Sequence, residues 1–111
     1  MATLSSHLLN SVNGTHASGV NILINQINPS GDKKIFYEAK TDESGRILKE
    51  FKLSNEDCAC DYEMVCKTAD YFSEKNIVTE IIVKFKMEDP KKKYHLPIII
   101  SPNGYTIWWS K

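Results

Sequence analysis

Short runs of alternating apolar and polar residues, broken about every ten positions by turn-forming residues, constrain this chain more than any other feature. A period of two belongs to a strand with one covered face, and turns this frequent leave no room for long helices. In "GVNILINQI", Val20, Ile22 and Ile24 alternate with Asn21, Leu23 and Asn25, and "NPSGDKK" follows as a turn. "IFYEAK" is a strand, "TDESGR" a turn and "ILKEFKL" the next strand. "DYEMVCK" sets Tyr62, Met64 and Cys66 against Glu63, Val65 and Lys67. "EIIVKFKM" sets Ile81, Val83, Phe85 and Met87 against Glu80, Ile82, Lys84 and Lys86. "ADYFSEKN", Ala69 to Asn76, is the one helix the pattern predicts. Seven or eight strands and one short helix predict an all-β, two-sheet sandwich.

A chain of 111 residues suffices for one core, so a single domain spanning 1–111 is expected to fold without metal or disulfide staples. The formal net charge of zero argues against nucleic acid or an anionic membrane as partner. The opening "MATLSSHLLN" has neither a basic region nor a long apolar run, and the run Leu96 to Ile100 is too short to span a bilayer. The cytoplasm is therefore the expected location. Cys58, Cys60 and Cys66 are then reduced thiols. Placed on an extended segment they share one face and behave as small hydrophobes, and no metal site is expected. The run Lys91 to Lys93, beside Glu88, Asp89 and Pro90, reads as a solvated hairpin tip, and "DESG" lacks the ligand spacing of a calcium loop.

The last two strands break the one-sided pattern. In "KKKYHLPIIISPNGYTIWWSK", Tyr94, Leu96, Ile98 and Ile100 point one way, and His95, Pro97 and Ile99 the other. Tyr105, Ile107 and Trp109 alternate with Thr106 and Trp108, so large apolar groups again occupy both faces. Burying an Ile or an aromatic side chain is worth about 1.5–3 kcal/mol, and leaving the second face in water would create a sticky patch. A second copy of the chain is the expected cover, with His95 at or beside a subunit interface. "LSSHLLN" repeats the theme: Leu4, Ser6 and Leu8 lie on one face, and Ser5, His7 and Leu9 on the other. Arg46, the single arginine, follows the tight "ESG" turn, while His16, after "VNG", is expected to be exposed and uninvolved.

On these residues the sequence resembles the transthyretin-related 5-hydroxyisourate hydrolases nearly end to end. "LSSHLLNSVNGTHASGVNILI" resembles the family's "LSTHVLDTxxGxPAxGV", and "AKTDESGRI" its "xxTDxDGR" turn. "DYEMVCKTADYF" resembles "xYxxxFxTGDYF", and "KKKYHLPIIISPNGYT" resembles "xxHYHVPLLLSPxGYS". The resemblance implies an eight-stranded prealbumin-like sandwich with a short helix, forming a homotetramer with active sites at the mouths of a central channel. It also implies hydrolysis of the cyclic amide of 5-hydroxyisourate, a purine-derived small molecule, without cofactor. Carried onto this chain, the family's catalytic positions match His7, Arg46 and His95. Those residue types suit the chemistry, because an imidazole can deprotonate water near neutral pH and a guanidinium can hold an oxyanion.

The chain departs from the family at its end. The family's "YRGS" is replaced by Trp108, Trp109, Ser110 and Lys111, which fall at the expected substrate-binding wall. An aromatic ring is kept there, and a planar cation is lost. The stretch "NIVTEIIVKF" is also shorter than the family's "FFPE"-containing segment. Two further readings follow from the altered wall: a transthyretin-like binder of a flat apolar ligand, and a hydrolase of a related cyclic amide or ureide.

Overall fold

A computed structural model describes residues 1–73 and 76–109. Among these, the strands are β1 (Ala2–Asn10), β2 (Thr15–His16), β3 (Asn21–Ile27), β4 (Lys33–Lys40), β5 (Arg46–Phe51), β6 (Asp61–Cys66), β7 (Ile81–Lys86), β8 (Lys93–Ser101) and β9 (Gly104–Ile107). The short helices α1 (Asn55–Cys58) and α2 (Thr68–Tyr71) flank β6. One sheet runs β4-β3-β6-β7, antiparallel throughout, with a bulge at Ile24/Asn25. In the other, β1 pairs in parallel with β8, which pairs with β9. Along the opposite edge of β1, β5 covers Ala2 to His7 and β2 takes over at Leu9 and Asn10.

The two sheets stack as the sandwich that the alternation predicts. In β1 the inward positions Ala2, Leu4, Ser6, Leu8 and Asn10 are buried, while the positions between them are half-buried. Leu4, Leu8, Ile24, Met64, Ile98 and Ile100 meet in the middle of the core. Each contributes about 1.5–3 kcal/mol by leaving water. Tyr62 is also fully enclosed. Its hydroxyl donates to the Asp57 carbonyl at 2.8 Å and accepts from Gln26 Nε2 at 2.9 Å, and burial pushes its pKa up to about 12.

Three local expectations are corrected. The alternation does not announce α1, which carries a capping box: Ser54 Oγ accepts from the Asp57 N–H, and Asp57 accepts from the Ser54 N–H. The sequence signal for this box is the "SNED" spacing. Because α1 ends at Cys58, the cysteines do not share an extended face: Cys58 is half-buried on a helix, whereas Cys60 and Cys66 are buried. All three are free thiols. The helix expected over Ala69 to Asn76 is confined to Thr68–Tyr71, and Glu74 and Lys75 lie outside the described residues. The two-residue β2 is an addition to the strands that the pattern predicts.

Candidate active site

The outward face of the β5-β1-β8-β9 sheet carries a concentration of polar side chains. Strand register builds it. His7 on β1 lies directly opposite Arg46 on β5 and opposite Pro97 on β8. Trp108 extends the row, since its N–H donates to the Pro97 carbonyl at 3.4 Å and so prolongs the β8–β9 pairing by one residue. Arg46, His7, Pro97 and Trp108 thus form one line across four strands. One pleat along, Ser5 pairs with His95, and Ser5 Oγ lies 2.8 Å from His95 Nδ1. Standard strand spacing puts the His7 and His95 Cα atoms about 8 Å apart on the diagonal. Ser5 and His95, 90 positions apart in sequence, meet here because β1 and β8 run side by side in parallel.

The turn before β5 aims Arg46. Asp42 Oδ1 accepts from the N–H groups of Ser44 and Arg46, both at 2.9 Å, and the Gly45 N–H donates to the Asp42 carbonyl at 2.9 Å. These backbone donors, that of Arg46 foremost, hold the Asp42 carboxyl below its ordinary pKa. Gly45 has a φ of +73°, and a Cβ there would stand 2.5 Å from the Leu8 carbonyl oxygen and 3.2 Å from His16 Cβ. Only glycine satisfies both the left-handed backbone and the approach to β1.

His16 is the residue that sequence reasoning sets aside. It is exposed, as expected, and it contacts His7: its Nδ1 lies 2.9 Å from His7 Nε2, with ring centroids 5.0 Å apart and the planes tilted by 32°. The β1–β2 hairpin puts His16 opposite Leu9 and therefore on the face of His7. Thr41 pins the following loop, donating from Oγ1 to the Ala17 carbonyl at 2.7 Å and accepting from the Val20 N–H at 2.9 Å. The signal for this placement lies in "NSVNGTH", where a tight turn between Asn10 and Thr15 carries the face alternation from β1 into β2.

Burial lowers the pKa of His7 most, and the nearby Arg46 guanidinium, His16 and His95 push the same way. The Ser44 backbone opposes them. The net direction is down from the ordinary 6.5, which favours the neutral imidazole. The arrangement sets an imidazole beside a guanidinium, which can accept a proton from water next to a group that stabilises negative charge.

The two tryptophans part company. Trp108 stays in line with Pro97, whereas Trp109 lies under the Lys92 ammonium, 4.7 Å from its ring centre. Trp109 also lines a cavity of about 370 Å³ with Phe85, Tyr94 and Leu96. Ser110 and Lys111 lie outside the described residues. No helix of the described residues is long and apolar enough to cross a membrane, and no cluster of three metal-ligating side chains occurs among them.

Comparison with known proteins points one way. The family model described as "HIUase/Transthyretin family" matches residues 4–109. A 5-hydroxyisourate hydrolase of Salmonella typhimurium is 33% identical over 110 residues, covering 95% of this chain and 78% of that protein. The 5-hydroxyisourate hydrolase of Halalkalibacterium halodurans is 28% identical over 112 residues, covering 95% of this chain and 94% of its own. The crystal structure of transthyretin from Sparus aurata superposes with a TM-score of 0.84 at 22% identity, covering 96% of this chain and 95% of that one, which is a likeness of fold.

Proposed function

The chain belongs to the HIUase/transthyretin family, and on that footing we propose that it hydrolyses the cyclic amide of 5-hydroxyisourate, using His7 and His95 for acid–base work and Arg46 to hold substrate oxygens. The observation that carries this reading is the register that sets His7 against Arg46, with His95 one pleat away on the same face. In the reaction an imidazole takes a proton as a water oxygen bonds to the amide carbonyl carbon. Arg46 offsets the charge gathering on the carbonyl oxygen with paired donors. The C–N bond then breaks, and the departing nitrogen receives a proton from the second imidazole. The relatives named 5-hydroxyisourate hydrolase are 28% and 33% identical to this chain, against 22% for the transthyretin, which favours the hydrolase over a transthyretin-like carrier. Trp108, in line with Pro97, serves as an aromatic wall for a flat ring.

The same reading takes the chain as one domain working as a cytoplasmic homotetramer without cofactor. Its support is the apolar surface beside the polar row: Leu48 is exposed, Ile99 is half-buried, and Trp108 is exposed, all on one sheet face. Fresh 5-hydroxyisourate, made from urate with a urate oxidase, tests the activity by its optical decay. The protein should accelerate decay over the spontaneous rate, and His95→Ala should cut turnover roughly 100-fold or more. Background decay with the intact protein would discard the hydrolase, and full activity in the variant would discard His95.

A further inference from the structure

The two serines of "LSSH" point to opposite faces of β1 and use their hydroxyls differently. Ser6 is buried and donates to the Leu96 carbonyl at 2.6 Å. Ser5 faces outward, and its Oγ lies 2.8 Å from His95 Nδ1. We propose that Ser5 is the positioning residue of His95: its hydroxyl engages Nδ1 and so leaves Nε2 as the nitrogen that meets the substrate. The proposal rests on the hydrolase reading and deepens it by adding a residue that acts through His95.

The χ2 torsion of a histidine is broad and nearly two-fold, so an unanchored His95 ring would present either nitrogen to the face. The contact with Ser5 removes that ambiguity. Nδ1 is engaged, while Nε2 has no hydrogen-bond partner among the described residues. The backbone holds the pair in place. Ser5 lies opposite His95 in the parallel β1–β8 ladder, and the next pair in that ladder, Ser6 and Leu96, is tied by the buried Ser6 bond. Across β1 from His95, Ser5 lies opposite Leu48, whose apolar side chain does not compete for the hydroxyl.

A hydroxyl suits this task because it both donates and accepts. A neutral ring with a bare Nε2 keeps its hydrogen on Nδ1 and donates it to Ser5 Oγ. When Nε2 gains a proton, the same bond persists in the imidazolium. Nε2 therefore takes or gives the proton while Nδ1 stays bound, whichever of the two proton transfers falls to His95. A neutral ring carrying its hydrogen on Nε2 accepts the Ser5 O–H at Nδ1 instead, so the orientation survives in every protonation state. A carbonyl in place of the hydroxyl could accept but not donate, and would lose the bond in that last state. Holding a catalytic histidine from behind, through the nitrogen that faces away from the substrate, is the part the buried carboxylate plays in the serine-protease triad.

Kinetics of the full chain on fresh 5-hydroxyisourate, with Ser5→Ala and Ser5→Thr, test the proposal. Loss of the hydroxyl should lower kcat roughly 10–100-fold through misplacement of the His95 ring and leave KM within about twofold, because the substrate contacts are kept. Ser5→Thr keeps a hydroxyl at the same strand position and should recover most of the loss. Nitrogen-15 spectra of the histidine-labelled protein need no turnover: Ser5→Ala should move the His95 Nδ1 resonance and leave those of His7 in place. An unmoved His95 resonance would overturn the proposal, as would wild-type kcat in Ser5→Ala or an equal loss in Ser5→Thr. A wild type no faster than spontaneous decay would remove the hydrolase reading and this proposal together, whereas an active wild type with an unaffected Ser5→Ala would remove this proposal alone.

Discussion

Gly45 is the turn residue on which the polar row is assembled, and both its backbone angle and its surroundings set the cost of replacing it by alanine. At a φ of +73° an alanine side chain is strained by about 1–2 kcal/mol. The lower entropy of the unfolded alanine chain offsets about 0.4–1 kcal/mol of that strain. Contact adds more: the new methyl would lie 2.5 Å from the Leu8 carbonyl oxygen and 3.1 Å from the Ala17 nitrogen, both backbone atoms held by the sheet and its hairpin. Overlap of this kind costs about 1–3 kcal/mol, so Gly45→Ala should destabilise by about 1–5 kcal/mol, centred near 3. Gly31 is the internal control, because its φ is +89° yet nothing lies within 4 Å of the position a methyl group would take. Gly31→Ala should therefore cost about 1 kcal/mol or less. With about 4–5 °C of Tm per kcal/mol at this size, thermal unfolding at matched protein concentration should separate the variants by about 5 °C or more. Equal melting temperatures for the two would refute the idea that the β1–β5 approach, rather than backbone strain alone, requires Gly45.

Two further outcomes are expected. Trp108→Ala should raise KM for the purine-derived substrate about 2–10-fold through loss of stacking, while Trp109→Ala should leave KM within about twofold; steady-state kinetics on freshly made substrate would show the reverse if Trp109 forms the wall. Glu63 is buried with its carboxylate 2.8 Å from Lys33 Nζ and 3.2 Å from Asn25 Nδ2, and the Lys33 contact, first among its causes, holds its pKa below the ordinary 4.5. A depressed folded pKa means stability present above the unfolded value and lost as pH falls through the folded one. Glu63→Gln should accordingly cost about 1 kcal/mol in urea unfolding at pH 7, and the gap to wild type should close as the pH drops below the ordinary glutamate range; a gap independent of pH would refute the ion pair's part in it.

The faces of the strands are legible in the sequence because the pleat is a local property. Alternation in "TLSSHLLN" and "EIIVKFKM" is enough to say which side chains share a side, and those sides are the ones turned to the core, fully buried in the first and, at Val83 and Phe85, half-buried in the second. The family resemblance names His7, Arg46 and His95, and the strand register puts them on one face of one sheet. Side is not neighbourhood, however. Which strand lies beside which, and in what register, depends on contacts between segments as distant as Thr3 and Lys93, and no local rule encodes them.

That division explains what the sequence left open. The α1 capping box is written in "SNED", but a single four-residue turn has no apolar period by which to announce itself. Trp108 and Trp109 are adjacent and chemically alike, and the end of the β8–β9 pairing sends one into line with Pro97 and the other to Lys92. His16 reads as an idle loop residue until β2 folds back on β1. From the sequence come the strands, their two faces and the residue types available for hydrolysis. Only the tertiary structure decides that a second imidazole stands 2.9 Å from the first, because a hydrogen bond between side chains requires two backbones held in register to within a fraction of an ångström.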